Sequence, residues 1–221
     1  MPETLSPTVE EYIEKKLSNP NQDRPGKLIV VEGLDGVGKT TAIRNLAREV
    51  GAEWFSSPIA DIHKETRQAI DEIAFTDPLT RFRFYQGANR YDSEYIVEPA
   101  IEAGKIILLD RYEITTLLAH TALDVDLDPE IEAIESLDWI VPADLTIFLR
   151  LSEAERVRRI MKRAESQGLS NLDMDLEHQR RLQAMYDQLA TKGLVDVDTE
   201  GLAIEEVTEK LLTVLQERNL V

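Results

Sequence analysis

The chain has 221 residues, of which 43% are hydrophobic and 30% are charged, and this suits one large domain with a buried core. Its formal net charge of −17 disfavours a general nucleic-acid or membrane-surface binder, because phosphate groups are repelled. The absence of cysteine excludes disulfides, zinc–thiolate sites, iron–sulfur clusters and thiol catalysis. No apolar run reaches the roughly 20 residues of a membrane span, and the N-terminus lacks a signal-peptide pattern. We therefore expect a cytoplasmic protein without nucleic-acid or membrane partners.

The first 26 residues differ from the rest of the chain. Ser6-Pro7 before an acidic turn is typical of a helix start, and apolar residues follow at helical spacing, namely Val9, Tyr12, Ile13 and Leu17. Asn, Pro and Gly residues between 19 and 26 break this pattern and indicate a linker. Residues 1–26 are therefore expected to be an N-terminal helical arm and linker, and the helix either docks on the main body or binds a partner.

From Lys27 onward, short apolar runs alternate with amphipathic segments. The apolar runs predict five strands, at 28–31, 53–55, 106–109, 145–149 and 194–197. The amphipathic segments predict helices at 39–49, 61–74, 78–103, from 113 onward, 152–165, 173–191 and 204–220. This alternation predicts an α/β fold over residues 27–221, in which a five-stranded parallel sheet is flanked by helices on both faces.

The segment from Gly33 to Thr40, GLDGVGKT, matches the phosphate-binding loop G-x-x-x-x-G-K-T between a predicted strand and a predicted helix. Glycines let backbone N–H groups surround a phosphate, and the following helix directs the positive end of its dipole at the same point. Lys39 supplies a cation to the phosphates, and the Thr40 hydroxyl is a candidate Mg²⁺ ligand. The motif predicts a three-layer P-loop fold that binds a nucleoside triphosphate, with the binding residues Gly33, Gly36, Val37, Gly38, Lys39, Thr40 and Thr41.

The triplet Asp110-Arg111-Tyr112 follows the third predicted strand. Ligands of open α/β sheets gather at the carboxyl ends of strands, so the first and third strands bring the phosphate-binding loop and this triplet to one crevice. Asp110 is a candidate Mg²⁺ ligand, and the Arg111 guanidinium is a candidate clamp for a phosphate. The alternative is that Asp110 and Arg111 form an ion pair at the surface.

Several segments resemble the thymidylate kinase family in their order and spacing. They are Val31 to Thr41, Ala88-Asn89-Arg90, Glu98-Pro99-Ala100 with Ala103-Gly104-Lys105, Leu109 to Tyr112, Pro142 to Thr146, and Asp198. The resemblance spans residues 27–215 and leaves the N-terminal segment unmatched.

This resemblance implies a homodimeric P-loop kinase that transfers the γ-phosphoryl group of ATP, with Mg²⁺, to a nucleoside monophosphate, usually deoxythymidylate. It also implies that Asp35 lies near the acceptor, that Arg90 contacts the acceptor base and that Arg111 contacts its phosphate. Tyr112 is expected beside the same acceptor. The chemistry requires mainly positioning and charge neutralisation, and the catalytic set comprises Lys39, Asp35, Asp110, Arg111 and a lid arginine.

Two departures from the family pattern concern the acceptor. The family has an arginine after the second strand that grips the acceptor phosphate, whereas this chain has Ser56-Ser57, with Lys64 and Arg67 further along. The family has a phenylalanine four residues before its base-contacting arginine, and here that position is Gln86, whose amide can hydrogen-bond a base edge. Both changes make an unphosphorylated nucleoside a second candidate acceptor, since deoxynucleoside kinases use a glutamine on a comparable helix.

Two further departures lie after Tyr112 and in the lid, which is expected near residues 164–172. The helix after Tyr112 carries His120, which is more typical of a packed or surface histidine than of a ligand. The phosphate-binding loop holds no arginine, so the lid has to supply the transition-state cation. Arg159 and Arg163, four residues apart on one helical face, are the candidates. The alternative is that this basic segment is a solvated face paired with nearby acids.

Three functions remain open at this point. The first is a nucleotide kinase that uses ATP and Mg²⁺. The second is a nucleoside or other small-molecule kinase on the same fold. The third is an ATP-binding regulatory protein without kinase activity, and only the acceptor pocket can separate these three.

Overall fold

In the computed structural model, which describes residues 4–18, 24–135, 140–167 and 175–221, five parallel strands form one sheet. The strands are β1 (Lys27–Glu32), β2 (Glu53–Ser56), β3 (Ile106–Asp110), β4 (Leu145–Arg150) and β5 (Val195–Asp198). They lie in the order β2-β3-β1-β4-β5, so β1 is central and pairs with β3 and β4. The predicted α/β fold with a five-stranded parallel sheet is confirmed.

Helices connect these strands and flank the sheet. In chain order they are α1 (Pro7–Ser18), α2 (Lys39–Val50), α3 (Asp61–Glu72), α4 (Pro78–Asp92), a π-helical turn (Ser93–Val97), α5 (Glu98–Glu102), α6 (Glu113–Thr121), α7 (Asp128–Glu135), α8 (Glu153–Gln167), α9 (Leu176–Leu189) and α10 (Ile204–Glu217). Within the described ranges, none of these helices has both the length and the apolar character needed to cross a membrane.

Both faces of the sheet are covered, because alternate residues of each strand point to opposite sides. Ile29 and Val31 of β1 pack in a cluster with α2 and α10. Leu28 and Val30 pack in a second cluster with the π-helical turn and α5. The near-continuous apolar run of β1 is therefore explained by burial on two sides, and the loops that follow the strands emerge together at one edge.

The N-terminal helix α1 docks on the main body. Its inner residues are buried in a hydrophobic cluster with α6, α7 and α9, namely Val9, Tyr12 and Ile13. Ser6 Oγ donates a hydrogen bond to the Asp128 carboxylate at 2.5 Å, and Lys192 Nζ lies 3.5 Å from Glu10 Oε1. Of the two predicted alternatives for this helix, docking on the main body is thus the one that the structure shows. The linker residues 19–23 lie outside the described residues, and the domain boundary at residue 26 stays a prediction.

Two helical segments differ from the prediction. The helix predicted over 78–103 is interrupted by the π-helical turn, because Pro99 has no N–H to continue the hydrogen-bond pattern of α4. Helix α7 is absent from the predicted elements, since the eight residues described for it are too few for a helical period to stand out in the sequence.

His120 on α6 is a buried, neutral residue. Arg81 Nη1 lies 3.0 Å from His120 Nε2, and His120 Nδ1 lies 2.6 Å from the Thr116 carbonyl oxygen. A guanidinium only donates and a carbonyl only accepts, so the ring carries its single proton on Nδ1. Burial, together with the charge of Arg81, lowers the pKa of His120 to about 3.

This neutral ring makes the free energy of unfolding depend on pH. The unfolded chain protonates His120 near pH 6.5 and the folded chain does so only near pH 3, so acidification between these values favours unfolding. His120→Gln lacks this proton uptake. We therefore expect the loss in free energy of unfolding caused by the substitution to be about 1.4 kcal/mol smaller at about pH 5.5 than at about pH 7.5. Urea unfolding of both proteins at both pH values measures the difference. A cost that does not change with pH would contradict a neutral His120.

Candidate active site

The loops that follow β1, β2 and β3 meet at the carboxyl edge of the sheet. Val31 pairs with Asp110 across β1 and β3, and Arg111 N donates to the Val31 carbonyl oxygen at 3.1 Å. On the other side of β3, Ser57 N donates to the Asp110 carbonyl oxygen at 3.1 Å. The structure therefore brings the phosphate-binding loop, the Asp110-Arg111 pair and the Ser56-Ser57 segment to one crevice.

The backbone of the phosphate-binding loop requires glycine at Gly36 and Gly38. Their φ angles are 87° and 97°, in the region that residues with a Cβ rarely adopt. A Cβ on Gly36 would also lie 2.8 Å from the backbone oxygen of Arg156 on α8. Gly38 is the N-cap of α2, so the first N–H groups of that helix point into the loop. Gly33 and Val37 belong to the same loop. This geometry is typical of an anion-binding loop.

Lys39 is buried at the start of α2. Its Nζ donates to the Leu34 carbonyl oxygen at 3.0 Å and lies 3.9 Å from Asp35 Oδ1. Burial, reinforced by the charge of Arg111, lowers the pKa of Lys39 to about 8, although neighbouring carboxylates oppose the shift. An anionic ligand beside the ammonium would raise this pKa and stabilise the charge.

Thr40 and Asp110 lie in contact, as a shared metal site requires. Thr40 Oγ1 donates to Asp110 Oδ2 at 2.6 Å, and Asp110 Oδ1 is buried without a hydrogen-bond partner among the described residues. Mg²⁺ prefers such oxygen ligands and commonly combines one or two protein groups with substrate phosphates. The two residues therefore fit Mg²⁺. Thr41, also a predicted binding residue, lies exposed in the first turn of α2.

Asp35 and Arg111 form an ion pair across the crevice, with Arg111 Nη2 at 2.5 Å from Asp35 Oδ1. Arg111 has a φ of 70°, and such backbone strain is concentrated at functional sites. Burial alone would raise the pKa of Asp35, but the charges of Arg111 and Lys39 lower it well below its usual range. Because Asp110 and Arg111 bind different partners, the alternative of a surface pair between them is wrong.

Glu32 is a buried carboxylate that the sequence analysis missed. Its oxygens accept hydrogen bonds from the Tyr112 backbone N at 3.2 Å, from the Tyr186 hydroxyl at 2.9 Å and from the Thr115 hydroxyl. Burial raises the pKa of Glu32, although these hydrogen bonds and the charge of Arg111 oppose the shift. Glu32 therefore ties the end of β1 to α6 and α9. Its signal in the sequence is a charged residue at the end of an apolar strand.

Polar residues of α4 form the other wall of the crevice. Gln86 Nε2 donates to Glu113 Oε1 at 3.1 Å, at the start of α6. Almost one turn further along α4, Asn89 donates to Thr116 Oγ1 at 2.9 Å and accepts from Ser57 Oγ at 3.0 Å. Gln86 and the Ser56-Ser57 segment thus border the same space. Glu113 was not predicted, although it directly follows the Asp110-Arg111-Tyr112 triplet.

The remaining predicted acceptor residues lie close to this wall. Arg90 is partly exposed at the end of α4, where its Nε lies 3.8 Å from Glu94 Oε2. The Tyr112 ring is buried in the cluster that contains Val97 of the π-helical turn. The contacts of Arg90 and Tyr112 with an acceptor stay predictions. Lys64 and Arg67, the alternative cations, pair with acids on α3.

Arginines on the inner face of α8 approach the phosphate-binding loop. Arg156 is buried and its Nη1 donates to the Asp35 carbonyl oxygen at 3.3 Å. Arg159 Nη1 lies 3.4 Å from the Val37 carbonyl oxygen, and the charge of Arg163 helps to lower the pKa of Asp35. Arg156 was missed, although it precedes Arg159 by three residues on the same face. Residues 168–172 of the predicted lid lie outside the described residues.

A cavity of about 520 Å³ lies between the ends of β4 and β5 and helices α8 and α9. Its lining includes Ser152, Ala184 and Asp198. Arg156 also lines it, and the guanidinium of this residue donates to the Asp35 carbonyl oxygen of the phosphate-binding loop. The volume is within the usual range of small-molecule sites.

Comparison with known proteins identifies the family. A family model described as thymidylate kinase matches residues 31–211. The chain belongs to the thymidylate kinase family. Thymidylate kinase from Ligilactobacillus salivarius is 25% identical over 202 residues, which cover 86% of this chain and 97% of that protein. Thymidylate kinase from Desulfotalea psychrophila is 32% identical over 146 residues, or 62% of this chain and 70% of the relative.

Solved structures of the family show the same fold. Thymidylate kinase from Candida albicans has a TM-score of 0.65 at 20% identity, covering 89% of this chain and 93% of that chain. Thymidylate kinase from Ehrlichia chaffeensis has a TM-score of 0.65 at 19% identity, covering 86% of this chain and 98% of that chain. These matches confirm the predicted three-layer P-loop kinase fold. The family model begins at residue 31, so α1 lies outside it.

Proposed function

We propose that this thymidylate kinase family member transfers the γ-phosphoryl group of ATP to deoxythymidylate, giving deoxythymidine diphosphate and ADP. The observation that carries the proposal is the convergence of Lys39, the Thr40–Asp110 contact and the Asp35–Arg111 pair at one edge of the sheet. Relatives that match most of this chain's length are named thymidylate kinases, which supports the same reaction here.

The donor side of the site binds ATP. Backbone N–H groups of residues 33–38 and the N-terminus of α2 surround the β- and γ-phosphates, with the Lys39 ammonium beside them. Thr40 and Asp110 would hold Mg²⁺, which when bound neutralises charge on the phosphates. The donor nucleoside occupies the cavity of about 520 Å³ next to the loop.

On the acceptor side, Arg111 binds the acceptor phosphate from the end of β3, and the Asp35 carboxylate orients its guanidinium. Arg156, Arg159 and Arg163 of α8 stabilise the negative charge that spreads over the transferred group. Phosphoryl transfer of this kind requires little covalent chemistry from the protein. The side chains at this edge therefore contribute by positioning and by charge.

An unphosphorylated nucleoside is the second candidate acceptor. It is favoured by Ser57, whose hydroxyl binds Asn89 where the family places a phosphate-gripping arginine, and by the Gln86 amide. Such an acceptor has no phosphate of its own, so Arg111 would contact only the phosphoryl group that comes from ATP.

An acceptor screen tests both candidates. ATP consumption with Mg²⁺ is measured across the common nucleosides and their monophosphates, and products are identified by mass. We expect the highest kcat/KM with deoxythymidylate and deoxythymidine diphosphate as product. Turnover of unphosphorylated nucleosides alone would replace the proposal with the second candidate. ATP binding without turnover on any acceptor would favour the regulatory alternative.

The cytoplasmic location, the homodimer and the lack of nucleic-acid or membrane partners stay predictions. The net charge of −17 supports the last of these, because it repels polyanions. Light scattering of the purified protein would test the dimer.

A further inference from the structure

Gln86 is held by a carboxylate that also binds the N-terminal helix. Glu113 Oε1 accepts a hydrogen bond from Gln86 Nε2 at 3.1 Å and another from the Tyr12 hydroxyl at 2.6 Å. Glu113 and Tyr12 are only 5% and 3% exposed. The three side chains connect α4, α6 and α1, and Tyr12 precedes the segment that the family model matches.

The carboxylate determines which end of the Gln86 amide faces it. Glu113 Oε1 accepts from both Tyr12 and Gln86, so it faces the NH₂ end of the amide and the carbonyl oxygen is turned away. Gln86 Oε1 is buried and has no hydrogen-bond partner among the described residues. A buried carbonyl oxygen without a donor is unfavourable, so a ligand that brings a donor to Oε1 gains from the contact.

We propose that Glu113 and Tyr12 are positioning residues that present Gln86 Oε1 to the acceptor base, so that the N-terminal helix takes part in base selection. The inference rests on the proposed function, because it requires a nucleotide or nucleoside in the crevice that Gln86 borders. The group opposite Oε1 is a hydrogen-bond donor, such as a ring N–H or an exocyclic amino group. A base that presents only acceptors there is rejected, because two sets of lone pairs would face each other.

A double-mutant cycle tests whether Tyr12 acts through Gln86. Tyr12→Phe removes the hydroxyl and keeps the buried ring, and Gln86→Met removes the amide at similar length. We expect each single variant to raise the acceptor KM about three- to tenfold, the value of one hydrogen bond, while kcat and the KM for ATP change less than about twofold. The double variant should resemble Gln86→Met alone, because Tyr12 has no amide left to position. Additive effects, or an unchanged acceptor KM in Tyr12→Phe, would overturn the inference.

The order of acceptor bases by kcat/KM tests the positioning role, because a purely structural role of Glu113 would leave this order unchanged. In Glu113→Gln the new amide both donates and accepts, so the Gln86 amide loses its fixed orientation. We expect the differences in kcat/KM among acceptor bases to become smaller in this variant. A ranking identical to that of the wild type would contradict the positioning role of Glu113.

Ser6→Ala is the matched control for α1 packing. Ser6 Oγ contacts Asp128 and the Val9 backbone N at the start of α1, so its loss weakens docking while the Tyr12 hydroxyl remains. If Ser6→Ala and Tyr12→Phe raise the acceptor KM equally at equal loss in Tm, helix packing explains the effect and the inference is wrong. Wild-type protein without turnover on any acceptor would overturn the proposed function together with this inference. Turnover with an unaffected Tyr12→Phe variant overturns the inference alone.

Discussion

Lys39→Met is expected to lower kcat by about 10³-fold and to leave the fold intact. The Lys39 ammonium lies between the Leu34 carbonyl oxygen and the Asp35 carboxylate. In the proposed reaction, the phosphate-binding loop holds the γ-phosphate of ATP beside this ammonium. Methionine keeps the buried aliphatic stem and removes the charge. Since burial lowers the pKa of Lys39 to about 8, the folded chain already disfavours this cation, and we expect no loss in Tm.

Steady-state ADP release and thermal unfolding measure the two expectations together. Arg48→Ala is the control on the same helix, because the Arg48 guanidinium is exposed and donates to Asn45 of α2 at 3.0 Å. Its rates should equal those of the wild type. A Lys39→Met protein that melts normally and keeps its kcat within about tenfold would contradict the donor-site assignment.

Arg111→Ala is expected to raise the acceptor KM about 100-fold, while the KM for ATP changes only a few-fold. Arg111 projects from the end of β3 and is oriented by Asp35, so its loss removes a charged hydrogen-bond donor from the acceptor side. Asp35 loses its closest cation in the variant. A modest effect on ATP is therefore expected as well.

Initial rates over a grid of ATP and acceptor concentrations separate the two KM values. Arg83→Ala is a suitable control, because Arg83 is an exposed arginine of α4 that pairs with Glu130 at 2.6 Å. Equal losses toward ATP and acceptor would show that Arg111 supports the whole loop rather than the acceptor. Such a result would reject its assigned role.

The donor half of the site could be predicted from the sequence, because its parts are nearly contiguous. Gly33 to Thr41 form a loop and a helix start whose backbone geometry depends on local glycines, and Asp110 is placed by the pairing of neighbouring strands. The strands β1, β3 and β4 were predicted for a similar reason, since burial on both faces leaves apolar runs in the sequence, whereas the edge strands β2 and β5 are only partly buried.

The acceptor half depends on contacts between residues that are distant in the sequence. Gln86 was recognised as a departure from the family, but its orientation depends on Glu113 and on Tyr12, which lies on a helix outside the family match. Glu32 and Arg156 were missed because their roles depend on burial and on partners that are distant in the sequence.

The docking of α1 also has a consequence for biosynthesis. The helix is synthesised before its partners, since Tyr12 binds Glu113 and Glu10 pairs with Lys192, far downstream in the sequence. At about 5–20 residues per second, α1 waits on the order of 10–40 s for that partner. Until α6, α7 and α9 have all been synthesised, Val9 and Ile13 lack part of the cluster that buries them in the finished fold. The nascent chain thus carries a helix with one uncovered apolar face, which favours chaperone capture and makes closure of this long loop a late folding event.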